Sequence, residues 1–74
     1  MVEIVDFEKV KDIMNERGIS QVELANRMDI TQGHLSMLFY GRRRTTLDIL
    51  FALLNALNLT FQDVLKDEYL HFAG

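Results

Sequence analysis

The chain has 74 residues, is 49% apolar, and carries a formal charge of −3 from 8 basic and 11 acidic side chains. That is enough apolar material for one thin core and too much for a disordered chain. With no cysteine there is neither a disulfide nor a thiolate metal site, and no apolar run approaches the ~20 residues that cross a bilayer.

The opening MVEIVDFEKV is acidic and lacks the basic flank of a signal peptide, so a single cytoplasmic domain over residues 1–74 is expected, with no membrane partner. Residues 1–5 alternate weakly and read as an extended arm ahead of a core at about 7–66. Asp6 is placed to cap a first helix on which Phe7, Val10, Ile13 and Met14 keep helical spacing, and Gly18 is a natural stop. Ser20 and Glu23 form an S-x-x-E capping box for a second helix of about two turns, with Leu24, Ala25 and Met28 inward. After the break Asp29-Ile30, Thr31 caps a third helix whose inward residues are Leu35 and Leu38 and which Gly41 closes.

Directly behind that glycine stand Arg42, Arg43 and Arg44, the densest positive charge of an acidic chain. Asp63, Asp67 and Glu68 collect near the other end, so the molecule is expected to be electrically two-sided. The fourth helix starts near Thr45 or Thr46 and sets Leu47, Leu50, Phe51, Leu54 and Leu57 at inward spacing. Ile49, Ala52, Leu53 and Ala56 are apolar too, which predicts a central helix buried on most sides. Asn58 can end it in the left-handed region. Thr60 with Asp63 opens a fifth helix with Phe61, Val64 and Leu65 toward the core, and the tail 67–74 shows no clear element. The prediction is an all-α, compact five-helix bundle with short loops.

The segment ISQVELANRMDITQGHLSMLFYGRRR is similar to the helix-turn-helix of phage-repressor-like (Cro/CI, XRE-type) transcriptional regulators, with helices two and three as the motif. The resemblance runs from about Val10 to Leu65 in one ungapped register. It rests on Ser20-Gln21, Leu24-Ala25, Ile30-Thr31-Gln32, Leu35, Leu38, Gly41, Leu47, Leu50, Ala56-Leu57 and Leu59-Thr60. Two short helices crossing steeply need a small residue at the crossing, and Ala25 supplies it. Asp29 stands where the family usually has glycine, and it tolerates the left-handed backbone better than most residues. The resemblance implies a lambda-repressor-like fold and sequence-specific binding of double-stranded DNA. It further implies a repressor that works as a homodimer on a palindromic operator, since one small module reads too few bases.

Carried over position by position, the resemblance puts Gln32, Gly33, His34, Ser36 and Met37 against the bases. Gln32 can pair bidentately with adenine. Gly33 either permits close approach or is unread, and Met37 either touches a thymine methyl or faces a partner. Ser36 can meet a base or a phosphate, and His34 a phosphate or the groove wall. Gln21, at a helix N-terminus, Thr31, Tyr40, Arg42, Arg43 and Arg44 are expected to hold the sugar-phosphate backbone. Tyr40 can alternatively stack in a subunit interface. Arg27, Lys9 and Lys11 are left aside. Phe61, Tyr69, Leu70 and Phe72 are the expected dimer interface, with the N-terminal arm second.

Where the family often pairs an arginine with a glutamate, this chain has Met14 and Phe39, for which a sulfur–ring contact is the expectation. Met37, Phe39 and Tyr40 make an unusually apolar edge, and this supports the alternative of a protein-interaction module such as the antitoxin partner of a toxin, with or without DNA autoregulation. Lone His34 and tail residue His71 lack a second ligand at metal spacing. No nucleophile–base arrangement, P-loop or metal cluster is legible, so neither catalysis nor a cofactor is expected.

Overall fold

A computed structural model describes residues 3–70, and within them six helices follow one another: α1 (Phe7–Arg17), α2 (Gln21–Met28), α3 (Gln32–Phe39), α4 (Leu47–Leu57), α5 (Phe61–Val64) and α6 (Asp67–Leu70). Five match the predicted elements. The sixth is a single turn in the stretch that carried no clear signal.

Local chemistry sets each start. Asp6 accepts from the N–H groups of Glu8 at 3.0 Å and Lys9 at 3.4 Å, and Ser20 accepts from Glu23 at 3.1 Å. Thr31 accepts from His34 at 3.1 Å and Thr46 from Ile49 at 3.3 Å. Each satisfies an N–H that the first helical turn leaves without a partner. The Glu23 carboxylate turns forward to Arg27 at 2.5 Å, one turn along, rather than back to its cap. At α5 the traffic runs the other way. The Thr60 N–H and hydroxyl both donate to Asp63 Oδ2, at 2.9 and 3.1 Å, and these bonds hold the Asp63 carboxyl below its ordinary value of 3.8.

The ends repeat one device. Gly18, Asp29, Gly41 and Asn58 all have positive φ, at 67°, 58°, 74° and 53°. The N–H of each following residue reaches back into the helix: Ile19 to Met14 at 2.9 Å, Ile30 to Ala25 at 3.0 Å, Arg42 to Met37 at 2.8 Å and Leu59 to Leu54 at 2.8 Å. The tight turn of the motif therefore uses Asp29 where glycine would be easier. Two arginines finish α4, which has no basic residue in its own last turn. Arg17 donates to the Leu57 carbonyl, and Arg27 donates to that of Ala56 at 3.3 Å. Both place positive charge at the negative end of that helix.

The core is wholly apolar among the described residues. Leu50, Leu53, Leu54 and Leu57 of α4 lie against Leu24, Ala25 and Met28 of α2, with Leu35, Leu38, Val10, Met14 and Val64 closing round them. α4 is less enclosed than its composition suggests. Leu47 is exposed and Phe51 is 47% exposed, because the buried stripe centres on the four leucines and Phe51 falls roughly 110° round from it. Phe61, expected inward, is 43% exposed and meets Phe51 edge to face at 6.0 Å. Leu65 is half-buried.

The arm is part of the fold. Val5 is only 1% exposed and forms an antiparallel bridge with Leu65. Its neighbours continue the pairing, Asp6 N–H to Val64 O at 2.7 Å and Lys66 N–H to Ile4 O at 3.0 Å. The core thus begins before residue 7. No helix among the described residues is long and apolar enough to cross a membrane.

Candidate functional site

α2 and α3 pack on one another through buried Leu24, Ala25, Met28, Leu35 and Leu38, and the left-handed Asp29 turns the chain between them. With Leu35 and Leu38 locked inward, the opposite arc of α3 and its cap carries Gln32, Ser36, Tyr40, Gly33 and Met37 within roughly 140° of the helix circumference. Gln32 and Gly33 are exposed, Met37 is 44% and Tyr40 76% exposed, and Ser36 is half-buried. None of these side chains hydrogen-bonds another described residue. A Cβ added at Gly33 would meet nothing within 4 Å, so the monomer makes no steric demand for glycine there.

His34 stands apart from that arc. It lies roughly 60° beyond Met37, half-buried on the flank next to Leu38. Thr31 acts first on its own helix, accepting from the His34 N–H, which leaves its hydroxyl proton for an outside acceptor. Gln21 is the first residue of α2 and is exposed beside that helix's free N–H groups. It lines a cleft of about 280 Å³ with Lys11, Met14 and Phe39. The Phe39 ring meets Phe7 edge to face at 5.3 Å, and Lys11 Nζ lies 5.7 Å from its centroid.

Arg42, Arg43 and Arg44 are exposed and form no ion pair among the described residues. Four other basic side chains are engaged elsewhere. Lys9 bonds Asp67 at 2.8 Å and the Leu65 carbonyl at 2.6 Å, and Lys11 pairs with Glu8 at 3.6 Å. Arg17 and Arg27 bond the end of α4. The arginine loop folds back on α3, the N–H groups of Arg42 and Arg43 both donating to the Met37 carbonyl, at 2.8 and 3.3 Å. It forms one wall of an open concavity of about 670 Å³ that Gly41, Thr45, Thr46 and Glu3 complete.

Glu3 carried no sequence signal, because its partner Thr45 is 42 residues away. The aromatic pair of Phe51 and Phe61 was missed in the same way. Tyr69 and Leu70 are half-buried on α6, and Phe72 and His71 lie outside the described residues. No group of three or more His, Cys, Asp or Glu that could hold a metal occurs among the described residues.

The geometry is thus a short helix with a bare outer arc, locked from behind and followed by three cations unpaired among the described residues. A family model described as helix-turn-helix matches residues 10–64, more than two thirds of the chain. No curated protein and no solved structure matches it.

Proposed function

The chain belongs to the helix-turn-helix family of phage-repressor-like (Cro/CI, XRE) type, a family of DNA-binding transcription regulators, and on that footing we propose that it is a repressor which reads a palindromic site in double-stranded DNA as a homodimer. One observation carries the reading: the bare arc of α3 and Arg42–Arg44, unpaired among the described residues, follow one another on one continuous stretch, bases facing the first and phosphates the second.

Gln32 is the base reader, bidentate to adenine and worth about 1–3 kcal/mol of discrimination. Gly33, Ser36 and Met37 complete the surface in the groove, with His34 at its wall. Gln21, Thr31, Tyr40 and the three arginines hold the flanking backbone. A second copy doubles the site, and the exposed pair of Phe61 and Phe51, with exposed Leu47 one turn before Phe51, supports an apolar face for it, to which the expected Tyr69 and Leu70 would add.

Selection of bound oligonucleotides from a random pool tests the reading. Gln32→Ala should relax preference at one base pair, whereas Arg43→Ala should weaken all sequences alike and lower the salt slope by about 1. Equal loss on every sequence in both variants would break this division of roles.

A second reading draws on the exposure of Tyr40 and Met37, an apolar edge suited to a protein partner such as a toxin. Duplex binding absent at low salt, with a protein captured through that edge, is the outcome that favours it.

A further inference from the structure

We propose that Glu3 is a positioning residue for DNA binding, a fixed post that sets the Arg42–Arg44 loop for its phosphate contacts; the inference rests on the DNA-binding reading above. An acid beside three arginines in a phosphate-facing concavity repels the ligand those arginines attract. Its hydrogen bonds show what it does instead. Oε1 accepts from both the N–H of Thr45, at 3.1 Å, and its hydroxyl, at 2.9 Å. Oε2 accepts from the N–H of Val5 at 3.1 Å. Both oxygens are therefore in use, one on the loop and one on the arm.

The post itself is anchored. Val5 is sunk in the core and bridged to Leu65, and Ile4 and Asp6 are tied to Lys66 and Val64. The loop is held at its other end by the Met37 carbonyl, which takes the N–H groups of Arg42 and Arg43. The arginines thus hang between two hitches. One is the end of α3. The other is a carboxylate delivered by the arm from the far side of the sequence. Each hitch removes loop freedom that binding would otherwise have to remove.

Two variants at one position separate charge from positioning. Glu3→Gln and Glu3→Ala both delete the same negative charge, and if Glu3 only repelled DNA, both would tighten binding equally. The glutamine amide oxygen can still accept both bonds from Thr45, giving up only the bond from the Val5 N–H, whereas alanine accepts none of the three. Positioning predicts that Glu3→Gln binds a selected duplex as well as the wild type or better, and that Glu3→Ala binds about tenfold more weakly than Glu3→Gln, as for loss of neutral hydrogen bonds. It also predicts a shallower salt dependence and faster amide exchange at Thr45 in Glu3→Ala alone, with base preference unchanged. A change in fold stability by itself would leave the salt slope of the folded fraction where it was. Thermal unfolding run alongside identifies a variant that fails to fold. In that event Thr45→Val serves, since it removes only the hydroxyl bond and should still weaken binding and flatten the salt slope. Equal affinities for the two Glu3 variants, or an unaltered slope in both Glu3→Ala and Thr45→Val, overturn the inference while leaving DNA binding intact. A wild-type protein that binds no duplex overturns both.

Discussion

Gly33 is a residue without a reason inside its own monomer. It sits in the first turn of α3, its φ is not left-handed, and a methyl group there would touch nothing. Alanine would gain helix propensity, up to ~1 kcal/mol in a helix interior and less near an end. We therefore expect Gly33→Ala to raise the thermal midpoint and yet to weaken duplex binding, because the surface it serves lies outside the chain. Unweakened binding in that variant would assign Gly33 to an unread position. Asp29 shows the opposite economy. Its φ of 58° is imposed by the turn, and a short polar side chain meets that demand where most residues would be strained.

The helices are delimited by single side chains. Thr31 caps α3 through one bond to His34, so Thr31→Ala should lower stability by about 1 kcal/mol in denaturant unfolding. At α5 the cap titrates. The N–H and hydroxyl of Thr60 hold the Asp63 carboxyl below 3.8, with Arg17 adding a smaller pull and partial desolvation opposing. A depressed acid stabilises the fold above its unfolded value and loses that effect as pH falls through its folded one. The difference in thermal midpoint between wild type and Asp63→Ala should therefore be present near neutrality and vanish below 3.8. These caps, like the stops at Gly18, Asp29, Gly41 and Asn58, were legible in the sequence because each involves residues a few positions apart. What escaped was non-local. Nothing near Glu3 announces Thr45, nothing near Val5 announces Leu65, and the periodicity of α4 could not say that Phe51 would fall outside the buried stripe and meet Phe61. For the site, the bare arc of α3 followed from its inward leucines, whereas the acid within the arginine concavity required the folded chain.

At the scale of the molecule, the charge is sorted. Lys9 and Asp67 neutralise one another at one end, while the arginines behind α3 remain unpaired among the described residues. The proposed homodimer would bring six such arginines to DNA. If each meets one phosphate, log K should fall against log salt with a slope of about 5, twice what a single copy gives. Phe61→Glu should lower the dimer fraction in sedimentation equilibrium and leave the monomer folded, since Phe61 is 43% exposed. It should also reduce the salt slope toward the single-copy value. The side chains of Gln32, Ser36 and Met37 form no hydrogen bond with the rest of the described molecule, Gly33 has none to form one, and the core beneath them holds no polar side chain among the described residues. On the proposed reading, what the helix recognises is decoupled from what keeps it upright. Those four positions can drift, one substitution at a time, without renegotiating the scaffold, so such a chain can acquire a new target sequence by ordinary point mutation long before it needs a new architecture.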